Sequence, residues 1–585
     1  MARFVPTLPR RLVLAAVALV VIAGIGYLAV TALLARRELT NAKSALSVVK
    51  SRLLAGDEAG ARAQLVTANA DADAAARRTS GVAWRAAAAV PWLGAPLDTV
   101  RGIALTAHDL TSTTLPQVVG VASSLSPDRL RIASNQIDVR RLRAAAPTLA
   151  DVERQTAAAT KRADDLPHGT WLPAADKARQ DFADLIGGLH STVARASQAA
   201  KLLPSMLGAD GTRRYLLVIQ TNAESRGLGG LPGVFAVVRA KNGKVGFERF
   251  GNDSDMTGRA SVDLGRDFER WYSSLGVERT FVNTTASPDM PSVARIWMSM
   301  WRNQTGERLD GAVATDPVAL SYLLKVSGPF TMADGTVVSS DSVVRLSESD
   351  AYSRFRSTPA RKRFFVKLGR ETADHVLHGA GGHGTALLDA LEHAAGERRL
   401  LVWSAHTAEE TQLAPTSLGG LLPRGPAPLA ALVVNNGAGS KLDYYLDRTL
   451  TYRPGDCTRG RRSTTLTVTL HNAAPLHGLP PYVVVRSDHP VWPPPPGTNR
   501  ELATVYTTDG ARLVRATLDG RDVTDQVLPG REQGHPMFSV DMEIPPQKSV
   551  TWQLSLSEPQ TAGRVRTFAQ PLVRPIHQTI SQPTC

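Results

Sequence analysis

The chain has 585 residues, of which 43% are hydrophobic and 21% are charged, and its formal net charge is +14. This apolar content excludes a disordered chain, and the length suits about three or four domains. No basic helix or aromatic-basic motif occurs, which argues against nucleic acid as a partner. The positive charge instead favours an anionic partner, such as a wall glycopolymer or lipid head groups.

The first predicted element is a hydrophobic helix near the N-terminus. The run from Leu12 to Leu34 contains no charged residue. A helix of that length spans about 34 Å, enough for the ~30 Å hydrocarbon core of a bilayer. Arg3, Arg10 and Arg11 precede it and predict that residues 1–11 are cytoplasmic. We therefore expect a single-pass transmembrane helix at 12–34 in the cell membrane, with an extracytoplasmic body. The alternative, a cleaved signal peptide, usually has a shorter apolar core.

Residues 35–209 are predicted to form an α-helical stalk. Apolar residues recur there at alternating spacings of three and four, as on one face of a helix. Gly56 and Asp57 interrupt the pattern, which predicts two helices joined by a tight turn. The predicted apolar seams consist of Leu39, Ala42, Leu46, Val49 and Leu53 on the first helix and Ala61, Leu65, Ala68, Ala72 and Ala75 on the second.

Residues 210–429 are predicted to form an α/β domain with a mixed sheet. Short apolar strands at 215–220 and 234–239 are followed by Asn242-Gly243, a strong signal for a tight hairpin turn, and by a return strand at 245–250. Helical patterns then alternate with strands at 312–315 and 400–404. This alternation is typical of an α/β fold.

The remainder of the chain is predicted to be rich in strands. Residues 464–472 alternate between polar and apolar side chains, and further strands are expected as far as residue 556. We interpret 430–560 as a β-sandwich-like domain and 561–585 as an extended tail. Cys457 and Cys585 are the two cysteines. Two cysteines in a translocated segment fit one disulfide, which would tie the tail to this domain.

The segment 214–238 resembles the opening block of bacterial membrane proteins that carry the domain of unknown function 4012. Three further blocks, 305–329, 435–448 and 471–484, are similar to the same family. The family implies an envelope protein of actinobacterial type without an established reaction. This chain departs from the common pattern at Gly227 and Leu228, where the family usually has Pro-Thr. The matching positions in the first block are Gln220, Asn222, Ala223, Glu224, Arg226, Gly229 and Gly230.

The order of elements also resembles that of the LytR-CpsA-Psr phosphotransferases, which join lipid-linked glycopolymers to the cell wall. That resemblance implies a polyprenyl-linked glycan as substrate, with Arg226, Arg361 and Arg363 as candidate pyrophosphate ligands. It also makes Asp253 and Asp255 candidate catalytic residues and ligands of Mg²⁺, since hard cations take carboxylate oxygens. The Pro-Arg-Asp signature of these enzymes is missing from the acidic loop, which weakens this implication.

Two functions follow from these patterns. The first is a non-catalytic envelope protein that assembles or binds polymer, and the alternative is a phosphotransferase acting on polyprenyl-pyrophosphate-linked glycopolymers. In the structural alternative for the site, Arg226 pairs with Glu224 and fixes a hairpin, while the two aspartates form a solvated turn. A single cleft that holds the five candidate residues beside a long apolar groove would favour the enzyme.

Overall fold

The computed structural model describes residues 10–54, 56–379, 384–583 and 585. The chain divides into two compact units. The first, here called the helical unit, extends to Ile132 and resumes over Ile137–Asp210. The second, here called the mixed unit, comprises Ala133–Gln136 and Gly211–Cys585. The segments predicted as an α/β domain and a β-sandwich therefore lie in one unit.

The helical unit contains eight helices among the described residues, and its first two form the predicted hairpin. Asp57 caps the second helix by accepting the Gly60 N–H at 2.9 Å, which ends one helix and starts the next. All five predicted seam residues of the second helix are buried, as the spacing predicts. The helices are α1 (Arg10–Leu54), α2 (Glu58–Thr79), α3 (Val82–Ala88), α4 (Ala95–Asp109), α5 (Leu115–Ser124), α6 (Pro127–Leu130), α7 (Val139–Asp164) and α8 (Pro173–Met206).

The prediction of a transmembrane helix at 12–34 is wrong. Among the helices of the described residues, none combines the length and the apolar character that crossing a bilayer requires. Residues 12–34 belong to the longer α1, which continues through Arg36, Arg37 and Glu38 and buries Ala35 against Ala75 and Ala104. Residues 1–9, most of the predicted cytoplasmic segment 1–11, lie outside the described residues, as do the side chains of 12–18.

The first part of the mixed unit is a mixed sheet with helices on both faces. Its main strands run in the order β5-β4-β3-β6-β9, with β3 parallel to β6 and the other neighbours antiparallel. The elements in chain order, from the two short strands near residue 133 onward, are β1 (Arg131–Ala133), β2 (Gln136–Ile137), β3 (Arg213–Arg226), β4 (Gly229–Lys241), β5 (Lys244–Asn252), α9 (Arg266–Tyr272), α10 (Met290–Thr305), β6 (Gly311–Thr315), α11 (Pro317–Ser327), β7 (Phe330–Thr331), β8 (Val337–Val338), α12 (Val343–Arg345), α13 (Ala351–Arg354), α14 (Thr358–Gly379), α15 (Gly384–Gly396), β9 (Leu400–Ser404) and α16 (Thr407–Leu413).

Local chemistry explains how these elements begin and turn. Asn242 and Gly243 both have positive φ, at 49° and 78°, which gives the turn that joins β4 to β5 the twist of a tight hairpin. Asp316 caps α11 by accepting the Ala319 N–H at 2.8 Å, and Pro317 occupies the first helical position. The helix α10 covers one face of the sheet with Trp297 and Trp301, both buried.

The second part of the mixed unit is a sandwich of two sheets. A four-stranded sheet in the order β10-β13-β17-β16 packs on a six-stranded sheet in the order β15-β14-β18-β12-β11-β19. The elements are β10 (Ala430–Asn436), β11 (Leu446–Thr458), β12 (Arg461–Asn472), α17 (Pro481–Val484), β13 (Asn499–Thr507), β14 (Arg512–Leu518), β15 (Arg521–Asp522), β16 (Leu528–Glu532), β17 (His535–Ile544), β18 (Ser549–Pro559) and β19 (Ile576–Ile580).

The C-terminal segment is part of the sandwich. The predicted extended tail contains β19, which pairs in parallel with β11 from Arg448 to Tyr452. Ile576 and Ile580 pack against the sandwich core, so the tail gains buried apolar area as well as strand hydrogen bonds. A disulfide joins Cys457 to Cys585, whose Cα atoms are 6.4 Å apart. The disulfide thus holds the end of the chain beside β11.

Candidate functional site

Arg226 lies at the end of β3, where the chain turns through Gly227 and Leu228 into β4. Its guanidinium donates to the Ser225 carbonyl at 2.8 Å and to the Glu224 carboxylate at 2.9 Å. It also donates to the side-chain oxygen of Asn283 at 3.3 Å. The side chain is buried, and burial lowers the pKa of Arg226 to about 10. The guanidinium is therefore already engaged by groups of the protein itself.

Glu224 also pairs with a cationic side chain from the sandwich. Lys441, in the loop after β10, forms an ion pair with the Glu224 carboxylate. Burial lowers the pKa of Lys441 to about 8, because desolvation disfavours its charged form. Nearby, Asp443 accepts the Ser225 N–H at 2.6 Å, and it also accepts the side-chain amide of Asn436 at 2.8 Å. The two family-like blocks 214–238 and 435–448 therefore meet in one buried cluster.

This cluster, here called the junction network, is balanced in charge. Arg226 and Lys441 supply two cations, and Glu224 and Asp443 supply two carboxylates, all of them buried. Glu501 is also buried in the network and accepts the Ser225 hydroxyl at 3.2 Å. Burial and the nearby Asp443 raise the pKa of Glu501 well above its ordinary value, which favours its neutral, protonated form. A buried ion pair needs its partners to offset the cost of leaving water, and each of these groups has one or more. A phosphate that approached Arg226 would have to displace an internal carboxylate. The arrangement is that of a buried contact that holds the mixed sheet against the sandwich.

Arg361 lies close to the junction network. It lies on α14, buried, and donates to the Phe355 carbonyl at 2.9 Å and to the Thr358 hydroxyl at 3.1 Å. Its guanidinium stands 3.6 Å from the centre of the Tyr482 ring, and the ammonium of Lys441 lies 5.7 Å from the same centre. Arg361 and Arg226, two of the five predicted site residues, are thus connected through a chain of contacts. The chain runs through Tyr482, Lys441 and Glu224. Arg363 is exposed.

The two predicted metal ligands, Asp253 and Asp255, lie together on one short turn. Asp253 and Asp255 lie on a 3-10 turn rather than on an extended segment, because Asn252 caps that turn. Asp253 pairs with the Lys362 ammonium at 2.7 Å, and Asp255 accepts the Asn252 N–H at 2.8 Å. In the part of the chain that the structure describes, no group of three or more His, Cys, Asp or Glu residues is placed to hold a metal ion. Both carboxylates are therefore engaged by groups of the protein itself.

Glu348 is a buried acid that the sequence does not single out. Its carboxylate accepts the Ala223 N–H at 2.7 Å, while its other oxygen is buried without a partner in the structure. Burial raises the pKa of Glu348 to about 8. Beside it lies a cavity of about 30 Å³ lined by Gln220, Phe365 and Leu368 among others. That volume suits one or two water molecules rather than a lipid chain.

The candidate residues therefore fall into three separate settings. Arg226 belongs to the junction network, and Arg361 is connected to it through Tyr482. Asp253 and Asp255 lie on one capped turn, where Asp253 pairs with Lys362, and Arg363 lies on the surface. Sequence reasoning missed Lys441 and Asp443, although both lie in the family-like block 435–448, which was the available signal. Glu348 gave no signal, since it lies in a polar stretch that looks solvent-exposed.

A family model matches part of the chain. No curated protein and no solved structure matches the chain. The matched segment, residues 210–352, contains β3, β4 and Glu348, and so includes one side of the junction network. Residues 210–352 match the family described as "Protein of unknown function (DUF4012)".

Proposed function

We propose that this protein is a non-catalytic, extracytoplasmic protein of the cell envelope that binds an anionic envelope polymer or takes part in its assembly. The observation that carries this proposal is the environment of Arg226. The arginine that would have to bind a pyrophosphate is buried and already paired with Glu224 at 2.9 Å. The family-like residues Glu224 and Arg226 thus hold the fold together, and we assign binding to the exposed surface of the protein.

Two further features support this proposal. The Cys457–Cys585 disulfide is typical of an oxidising compartment, such as the space outside a bacterial membrane. The net charge of +14 favours association with polymers that carry phosphate or carboxylate groups. The phosphotransferase alternative gains no comparable support, since it would need Arg226 to exchange an internal carboxylate for a ligand.

Co-sedimentation with cell-wall material tests the proposal. Purified protein is mixed with insoluble wall fragments, either intact or chemically stripped of their anionic polymers. We expect the protein to sediment with intact fragments at low salt, to stay in solution with stripped fragments, and to be released from intact fragments by high salt. Sedimentation that is absent, or equal with both kinds of fragment, would contradict the polymer-binding function.

A second arm tests for catalysis directly. The protein is incubated with a polyprenyl pyrophosphate analogue and a glycan acceptor, with and without Mg²⁺. We expect no consumption of the analogue. Turnover that disappears in Arg226→Ala, with the fold retained, would favour the phosphotransferase function instead.

A further inference from the structure

The outer face of the six-stranded sheet carries an ordered array of hydroxyl groups. Along β12, Leu466, Val468 and Leu470 point into the sandwich core, so the residues between them point outward. The strand register aligns the outward residues into rows that cross the sheet. One row contains His577, Thr449, Thr469 and Thr551, and the next contains Thr579, Thr451, Thr467, Gln553 and Thr517. Neither row contains Lys or Arg, and each has a carboxylate at its β14–β15 end. Asp519 accepts the Thr551 N–H at 2.8 Å beside the first row, and Asp522 on β15 is aligned with Thr517 at the end of the second.

Positive charge is concentrated at one end of this face. The row after the two hydroxyl rows contains Arg453, Thr465, Ser555 and Arg515, so an arginine stands at each of its ends. Arg512 is aligned with Ser557 in the following row, and Arg461 donates to the Ser557 hydroxyl at 2.7 Å. Arg515 pairs with Asp522 at 3.0 Å, but both side chains are largely exposed, so this ion pair is weak.

The geometry of the array suits a polyhydroxylated chain. Neighbouring strands lie about 4.8 Å apart, and outward residues on one strand recur at roughly 6.8 Å. Each threonine or serine hydroxyl can donate one hydrogen bond and accept others, as sugar hydroxyls do. An arginine fork binds phosphate or carboxylate oxygens in pairs. The face therefore offers periodic hydroxyl partners beside a cluster of anion-binding groups.

We propose that this face, here called the threonine face, binds a linear anionic polysaccharide. The sugar hydroxyls lie along the two threonine rows, and the charged groups of the polymer pair with Arg453 and its neighbouring arginines. This inference rests on the proposed function and names the surface that performs it. The disulfide contributes, because it anchors the C-terminal chain that supplies His577 and Thr579 to the edge of the face.

The test uses the full chain and two soluble probes, sodium polygalacturonate and neutral dextran. The first variant is the triple substitution Thr451→Val, Thr465→Val and Thr467→Val, which removes hydroxyls but keeps side-chain shape and strand preference. The second is Arg453→Gln with Arg515→Gln. Its matched control is Arg259→Gln with Arg308→Gln, which removes the same charge from exposed arginines outside the face. Affinity is measured by calorimetry, and thermal unfolding confirms that each variant is folded.

We expect the triple valine variant to lose about tenfold or more in affinity for polygalacturonate, since each lost hydrogen bond costs about 1 kcal/mol. The Arg453/Arg515 variant should lose more affinity than the Arg259/Arg308 control. Wild-type affinity in the valine variant, or equal losses in the two arginine variants, would overturn the inference while leaving polymer binding in place. If the wild-type protein binds neither polygalacturonate nor wall fragments, the proposed function itself fails.

Discussion

The guanidinium of Arg361 lies 3.6 Å from the centre of the Tyr482 ring. Arg361 belongs to α14 beside the mixed sheet, whereas Tyr482 belongs to α17 in the connection between two sandwich strands. The contact therefore joins the two parts of the mixed unit. Arg361 is buried at 2% exposure whereas Tyr482 is 39% exposed, so the cation is shielded from water and the ring only in part.

A double-mutant cycle on Arg361 and Tyr482 measures this contact. We expect a coupling energy of about 1–2 kcal/mol between Arg361→Ala and Tyr482→Ala, between the values for exposed and for desolvated cation–ring pairs. The free energy of unfolding of the four proteins is measured by urea denaturation. Additive effects of the two substitutions would show that the two side chains are merely neighbours.

We expect Arg226 to stabilise the folded protein. Arg226→Ala should lower the free energy of unfolding by about 3–5 kcal/mol, because it removes one partner of a buried ion pair. Arg363→Ala is the matched control on an exposed arginine and should change stability by no more than about 0.5 kcal/mol. Chemical denaturation of both variants checks this prediction. A stable Arg226→Ala variant would mean that the junction network does not depend on this side chain.

Glu348 is expected to make stability depend on pH. Burial raises its pKa to about 8 from 4.5, so the folded chain keeps a proton that the unfolded chain releases. The contribution of protonated Glu348 to the free energy of unfolding is therefore fully present below pH 4.5. It is lost progressively as the pH rises to 8. Such a shift corresponds to roughly 5 kcal/mol.

The variant Glu348→Gln isolates this contribution, because its amide oxygen can still accept the Ala223 N–H. We expect the variant to lose less stability than the wild type between pH 5 and pH 8. Glu532, whose pKa burial raises to about 7, acts in the same direction and is present in both proteins. Unfolding curves over a pH series check the difference between the two slopes. Parallel pH profiles would mean that Glu348 does not titrate in this window.

The disulfide is expected to stabilise the sandwich. Its cysteines are 128 residues apart, and closing a loop of that length contributes about 5 kcal/mol in the chain-entropy model. Reductant should therefore lower the Tm of the wild type. The double variant Cys457→Ser with Cys585→Ser should have a low Tm that reductant leaves unchanged. Free-thiol labelling of unreduced, denatured wild type should be negligible, and two reactive thiols there would contradict the bond.

Much of the local structure follows from the sequence. The alternation in 464–472 predicts a half-buried strand, and β12 alternates in that way because side chains on a strand point to opposite faces. The Asn242-Gly243 turn and the capped start of α11 at Asp316 were likewise predictable, since both depend on residues within a few positions of each other. The mixed sheet follows from the order of these elements along the chain.

The segment 12–34, which hydropathy predicts to span a membrane, shows the limit of such patterns. Hydropathy predicts a helix at 12–34, and a helix does cover these residues, but it continues to Leu54. A hydropathy pattern describes the side chains of one segment, whereas the partners that pack against that segment come from elsewhere in the chain. The burial of Ala35 against Ala75 and Ala104 is a contact of this kind.

By itself, the sequence determined many of the strands, helices and turns of this protein, such as β12, the Asn242-Gly243 turn and the start of α11, because their periodicity and caps are local. Only the tertiary structure decided the role of Arg226. Its carboxylate partner Glu224 is shared with Lys441, which lies 217 positions further along the chain. The spacing of Glu224 and Arg226 allows their ion pair, but no local pattern shows that Lys441 pairs with the same carboxylate or that the whole group is buried. Burial removes the guanidinium from solvent, and the nearby carboxylates take the place that a ligand would need.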